Sequence, residues 1–416
     1  MLFQSIRLKF VAIVASALVC ACGGGSSAPP PAGGITVVPG DGQVTVSWTP
    51  DTNVQYWLFY AAAASISTAS LTTLPNHVDI LNVTSPFVVS GLTNGVTYSF
   101  TLDGRYDGGP GGSGTPSVSA VPRLAGANWA AGTSGSLGSS DMHGLAFGTA
   151  TDALLHYVAV GNGGAMYQGL DGVGWTAISH TYTADLNAVM YAMSKFVAVG
   201  AAGTILYSTD LATWTAASSS TTRTLNGLAS NGARVVAVGD GGTIMTSTDG
   251  IIWTAATSVP TSANLNGVAL TGSGVWLAVG SGGTLLTSAD GLTWTALNSG
   301  TGQDLRGVAS MVSYVASSAL YSYSYVAVGD GGTILTSVDA TTWTRQIVSP
   351  GNNLQAVVAK TGQWVAVGAG GVAFTSLDGI VWTKQNTAAT DDLFGLIYSQ
   401  GQYLAIGKNG VSTYSR

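Results

Sequence analysis

The chain has 416 residues, of which only 8% are charged, and a net charge of -6 at pH 7. Soluble domains ordinarily carry about 25% charged residues; here five lysines and eight arginines are scattered with no basic run, which excludes recognition of nucleic acid. All nineteen acidic residues are aspartate, and no glutamate occurs.

Arg7 and Lys9 precede an apolar run from Phe10 to Val19, followed by Cys20-Ala-Cys22. Basic residues, a short apolar stretch and a small residue form a secretory leader, too short to span a bilayer. The segment resembles the signal of bacterial lipoproteins, in which the cysteine after the small residue becomes the acylated N-terminus. That resemblance implies a signal peptide over 1–21 and lipid on Cys22, behind Ala21, rather than on Cys20, behind Val19. A plain secretory signal is the alternative. The protein is expected to be exported and lipid-anchored at the outer membrane, facing the periplasm or the surface, without a disulfide.

Residues 22–33, rich in Gly, Ser and Pro, read as the lipidated cysteine and a linker. From 34 to 122, short alternating runs separated by turn residues predict an antiparallel sandwich. The stretches Val44-Thr-Val-Ser-Trp48, Tyr56-Trp-Leu-Phe-Tyr60 and Gly91-Leu-Thr-Asn-Gly-Val-Thr-Tyr98, with a last strand over 116–121, resemble fibronectin type III domains. The resemblance implies packing roles for Trp48 and for Tyr98 as a corner tyrosine. It puts Asp103-Gly-Arg-Tyr-Asp107 in a loop that some members use for adhesion.

After a linker over 123–128, the rest of the chain repeats. Short strands close on Gly161, Gly200, Gly239, Gly280, Gly329, Gly368 and Gly407, spaced 39, 39, 41, 49, 39 and 39 residues apart. Fourteen residues after each of the first six stands Trp175, Trp214, Trp253, Trp294, Trp343 or Trp382, whereas Gly407 is followed by a nine-residue tail. Trp129 stands ahead of the first repeat and supplies the missing partner. The spacing fits one four-stranded unit per repeat. In the third unit the strands fall at Leu225 to Ala229, Val235 to Val238, Thr243 to Ser247 and from Trp253 onward, with a hairpin turn at Gly239-Asp-Gly-Gly242. The prediction is an all-β chain: a fibronectin type III-like sandwich, then a seven-bladed β-propeller over 129–416, closed by strands from both ends of that segment.

Within the repeats, Ser-x-Asp-x-x-x-Trp recurs from Ser208, Ser247, Ser288, Ser337 and Ser376, with a degenerate copy from Gly169 to Trp175. The motif resembles the aspartate boxes of bacterial neuraminidase repeats, with the Asp-to-Trp spacing one residue shorter. The resemblance implies a structural role for Asp171, Asp210, Asp249, Asp290, Asp339 and Asp378: each carboxylate accepts turn amides, as in Asx-turns. Sialidases of similar fold use a glutamate-activated tyrosine, and this chain has no glutamate. Aspartates alone can perform inverting glycoside hydrolysis. Asp141, Asp185, Asp304 and Asp392 precede innermost strands, and Asp240 and Asp330 lie in turns at the same end. Yet the position ahead of the inner strand reads Asp141, Asp185, Thr224, Asn264, Asp304, Asn353 and Asp392, all turn-capping residues.

Function is sought where the units differ. From the inner-strand Leu or Met to the central Ala of the second strand the interval is 17, 12, 12, 13, 22, 12 and 12 residues, so two hairpins are enlarged. The longer carries Tyr314, Tyr321 and Tyr323, a composition favoured at recognition surfaces. A second candidate set varies around the ring: His143, Asn187, Asn226, Asn266, Arg306, Gln355 and Phe394. The four histidines have no metal-ligand spacing, and no cofactor or metal is expected. The repeats also resemble the photosystem II stability and assembly factor family, whose propellers bind protein partners without catalysis. The expectation is a non-enzymatic lipoprotein that binds an envelope or extracellular protein in assembly or adhesion. The alternatives are an aspartate-dependent glycoside hydrolase and a glycan-binding propeller.

Overall fold

The computed structural model describes residues 25–74, 76–133, 135–315, 320–346 and 351–416. The expected signal peptide over 1–21 and the expected lipidation site at Cys22 lie outside the described residues. The chain forms two compact units with the main division between Pro122 and Arg123.

In the first unit, Ser27–Ala28, Gln55–Ala61, Val78–Val83, Tyr98–Arg105 and Val118–Ala120 form one sheet, and Thr36–Gly40, Gln43–Ser47 and Phe87–Ser90 another. Alternation turns Val44, Val46 and Trp48 of one sheet toward Leu58, Phe100 and Leu102 of the other, and all six are buried. The Tyr98 hydroxyl accepts the Thr93 N–H at 3.2 Å. Two expectations need correction. The linker expected to 33 already contributes a strand, because Ser27–Ala28 pairs with Gly104 and Arg105 along an edge that would otherwise be open. Asp103, Gly104 and Arg105 are strand rather than adhesive loop. Asp103 is buried, bound by the Arg105 guanidinium at 2.9 and 3.1 Å, and Arg105 lies 3.4 Å over the Trp57 ring.

In the second unit the described residues form seven four-stranded antiparallel sheets, one per repeat. The third contains Leu225–Ser230, Val235–Gly239, Ile244–Ser247 and Thr254–Ala255. Its second strand is apolar at every position from Val235 to Val238, and all four are fully buried, as expected of a strand covered on both faces. The turn Asp240–Gly242 places Gly241 and Gly242 at φ 63° and 71°. A Cβ on Gly242 would lie 2.1 Å from the Thr261 carbonyl oxygen, so a larger residue is excluded on both counts.

The innermost strand of each sheet packs against that of the next, and the seventh, Leu393–Ser399, against the first, Met142–Thr149. The apolar clusters bridge consecutive sheets: Val236, Val238 and Ile244 of the third pack with Trp276, Ala278, Leu286 and Trp294 of the fourth. Trp214, Trp253, Trp294, Trp343 and Trp382 each donate Nε1–H to the carbonyl three residues earlier. Trp253 is 1% exposed. Trp253→Ala is expected to cost ~3–5 kcal/mol of unfolding free energy, read by urea titration.

The seventh sheet runs Leu393–Ser399, Gln402–Gly407, Ser412–Ser415 and then Ala130–Ala131, with Thr413 opposite Ala131 and Tyr414 opposite Ala130. Its tryptophan turn is assembled from two distant chain segments. Trp129 donates to the Gly126 carbonyl at 2.8 Å, and the Gly126 N–H donates to Ser415 Oγ at 2.7 Å, as Gly250 N–H does to Ser247 Oγ at 2.8 Å. Ala125 occupies the place of the aspartate. The expected 123–128 linker is therefore corrected as well: Ala125 to Asn128 are part of this turn. Gln363 Nε2 donates to the Ala125 carbonyl at 2.8 Å, just as Lys195 Nζ reaches the Asp249 carbonyl and Gln402 Nε2 the Asp171 carbonyl.

Candidate functional site

Successive antiparallel strands put connections alternately at the two ends of each sheet. The start of the innermost strand and the turn between strands two and three lie at one end; the enlarged hairpins and the aspartate turns lie at the other.

At the hairpin end, one oxygen of each box aspartate accepts two consecutive turn amides at 2.7–3.0 Å: Asp171 from Val173 and Gly174, Asp210 from Ala212 and Thr213, Asp249 from Ile251 and Ile252. Asp290, Asp339 and Asp378 repeat the pattern. The box serine donates Oγ–H to the same carboxylate in five units. These backbone amides hold Asp210, Asp249, Asp290, Asp339 and Asp378 below the usual carboxylate range.

The enlarged hairpins differ. In the first, Asp152 caps the Leu154 N–H and meets His156 Nε2, each at 2.9 Å, while Thr151 N–H reaches the Thr209 carbonyl of the second sheet. In the second, the Tyr314 and Tyr321 rings meet edge to face at 5.6 Å, and both are exposed. Tyr323 instead packs against the cluster of Leu277, Val279 and Leu335.

At the opposite end, the carboxylates ahead of the inner strands bind the preceding sheet. Asp185 accepts the Gly163 N–H, Asp304 that of Gly282, Asp392 that of Gly370 and Asp141 that of Asn409, at 2.7–2.9 Å; Asn264 and Asn353 do the same for Gly241 and Gly331. Each is a staple between neighbouring sheets, using the positive-φ turn residue as its donor.

Inside this end, the cavity of about 210 Å³ is lined by His143, Asn187, Asn226, Arg306, Gln355 and Phe394. The seven-membered set divides in two. Asn187, Asn226 and Asn266 each donate Nδ2–H to the first carbonyl of the next inner strand, at Leu225, Leu265 and Leu305, over 2.8–3.0 Å. The other four occupy the contiguous fifth, sixth, seventh and first sheets. Arg306 grips Asp330 through Nε at 3.1 Å and Nη2 at 2.8 Å, with Asp304 at 3.4 Å. His143 and Phe394 stack at 5.1 Å between centroids, and His143 Nε2 meets Asn162 Oδ1 at 2.8 Å. Gln355 makes no side-chain hydrogen bond among the described residues. By residue type alone all seven form one varying set. The repeat of Asn at three consecutive units was the signal that three of them are fold elements.

No family model matches the chain, and no curated protein sequence matches it. Among solved structures it is similar to YCF48 from Cyanidioschyzon merolae, 17% identical over 70% of this chain and 99% of that one, TM-score 0.56. It is also similar to YCF48 bound to D1 peptide, 16% identical over 70% and 94%, TM-score 0.55. A catalytically inactive virginiamycin B lyase from Staphylococcus aureus with quinupristin is 8% identical over 70% and 99%, TM-score 0.57. One of these holds a peptide and another is named a lyase, so the likeness speaks to architecture and not to activity. The chain is all-β, and over the part that these structures cover its fold is that of the β-propellers.

Proposed function

We propose that this chain is a non-enzymatic, lipid-anchored scaffold of the outer membrane. In this reading Cys22 carries the lipid, a fibronectin type III-like module follows, and a seven-bladed propeller closed by both ends of its segment binds a protein partner in assembly or adhesion. The observation that carries it is the arc of His143, Arg306, Gln355 and Phe394. Where three asparagines repeat, their amides are spent on joining sheets; where the repeat breaks, an aromatic stack, an uncommitted amide and a guanidinium border one cavity. Apolar contact area with a few fixed polar groups is what a recognition site needs. A similar propeller was solved with a peptide bound, which supports a protein ligand. Hydrolysis is less well supported, because four of the aspartates at this end are committed as caps between sheets and Asp330 is clamped by Arg306.

Affinity capture from detergent-solubilised envelope with the lipid-free ectodomain tests the reading, run beside the double variant Gln355→Ala, Phe394→Ala and a glycan array. A protein partner is expected, held at least ~10-fold more weakly by the variant, the scale of one lost hot spot. Glycan capture without a protein partner would overturn it.

A further inference from the structure

From Gly307 to Gly329, twenty-three consecutive residues contain no charge and no proline. Those described belong to the longest strand pair among the described residues, Leu305–Val315 against Leu320–Gly329, in register from Gly307 opposite Val328 to Val315 opposite Leu320. The third strand of this sheet, Ile334–Ser337, covers the second only from Tyr325 to Val328. Leu320 to Ser324 are therefore paired on one side alone among the described residues, and their outer edge offers a row of free backbone groups.

The root of the hairpin is anchored. Gly272 of the fourth sheet sits so close beneath it that a Cβ there would lie 1.9 Å from Val312 Cγ2, and Tyr325 donates its hydroxyl to Ser273 Oγ at 2.9 Å. Beyond this support Tyr314, Leu320 and Tyr321 are 60%, 65% and 64% exposed. Natural sheets protect such edges with lysine, proline or a bulge; this one has none of the three between Gly307 and the described end of the strand.

A free strand edge is covered by another strand. In a chain of net charge -6, this uncharged segment lets two copies meet without like-charge contact. Its alternation Leu320-Tyr-Ser-Tyr-Ser324 is also self-complementary when two such edges run antiparallel. We propose that two copies of this chain associate by strand addition, the Leu320 to Ser324 edge of one against the same edge of the other about a two-fold axis. Two hairpins then make one four-stranded sheet with the tyrosines of both copies on a common face. This surface lies at the opposite end of the sheets from the Gln355 and Phe394 cavity, so its failure and that of the partner-binding reading are separable.

The test uses the chain from Gly23 onward, which has no cysteine of its own. Sedimentation velocity is expected to show a dimer for the parent, and for Leu320→Lys, Tyr321→Lys a dissociation constant raised at least ~10-fold with an unchanged circular dichroism spectrum. Under mild oxidation Ser322→Cys is expected to link two copies, whereas Ser313→Cys, on the inner strand directly opposite Ser322, is not. A parent that stays monomeric at ~100 μM, or Ser313→Cys linking as readily as Ser322→Cys, would overturn the proposal.

Discussion

Deleting Ser412 to Arg416 is expected to abolish the cooperative unfolding of the second unit, although only five residues are lost. Those residues are the middle strand of a joint: Ser412–Ser415 pairs with Gln402–Gly407 on one side and with Ala130–Ala131 on the other. Their removal opens two strand edges at once and strips the Ser415 hydroxyl from Gly126 N–H and Asn128 O, all with Thr413 and Ser415 essentially without solvent exposure. Buried polar groups left unpaired cost ~1–3 kcal/mol each, so the sum reaches the whole stability of an ordinary domain. The single variant Ser415→Ala isolates the joint. It is expected to destabilise by ~1–3 kcal/mol, and by more than Ser247→Ala. In the third sheet the serine and its turn are covalently continuous, whereas Ser415 binds a segment 289 residues away in sequence. Urea titration followed by tryptophan fluorescence measures both; a truncated chain with the parent midpoint would show that the joint does not hold the unit together.

The repeat was legible because its signals are local. A strand-closing glycine followed by a glycine turn at positive φ, a buried tryptophan fourteen residues after the closing glycine and an apolar second strand are each written within one unit. The displaced outer strand of the seventh sheet is placed by Trp129, because the count of tryptophans after the closing glycines leaves one unit short. What stayed hidden depends on partners distant in sequence. Ser27–Ala28 looks like linker because its strand exists only through the edge at Gly104 and Arg105. Ala125 to Asn128 look like linker for the same reason, since Ser415 completes their turn. Tyr321 and Tyr323 share a strand and a face, but the reach of Gly272 beneath the hairpin root separates a half-buried ring from an exposed one. The asparagines at 187, 226 and 266 read as variation in a mouth, whereas each joins its sheet to the next by one hydrogen bond to a carbonyl. Hydrogen-bond direction is invisible in a residue name.

The stability of the second unit is expected to fall with acid far more steeply than that of a variant with asparagine at Asp210, Asp249, Asp290, Asp339 and Asp378. In the folded chain each of these carboxylates is stabilised as the anion, first by two turn amides and then by the box serine, so its folded pKa lies below the unfolded value near ~3.9. Between the two values the unfolded chain binds more protons than the folded one, and stability falls as protons are added. The contribution is therefore complete above about pH 5 and is withdrawn as the pH drops through 4 toward the folded pKa values. The carboxylates are close to solvent, which keeps each contribution small; five in one cooperative unit make a visible slope. Asparagine keeps an acceptor oxygen for the two amides but cannot titrate, so the fivefold variant should lose some stability at pH 7 and nearly all of the slope between pH 5 and 2. Asp103 in the first unit runs the other way: burial raises its pKa, so it favours folding below about pH 4 and opposes it as the pH rises. Urea midpoints at intervals from pH 7 to 2 decide the matter. Parallel slopes in parent and variant would show that the amide-bound carboxylates of the five turns are not what couples folding of this unit to acid.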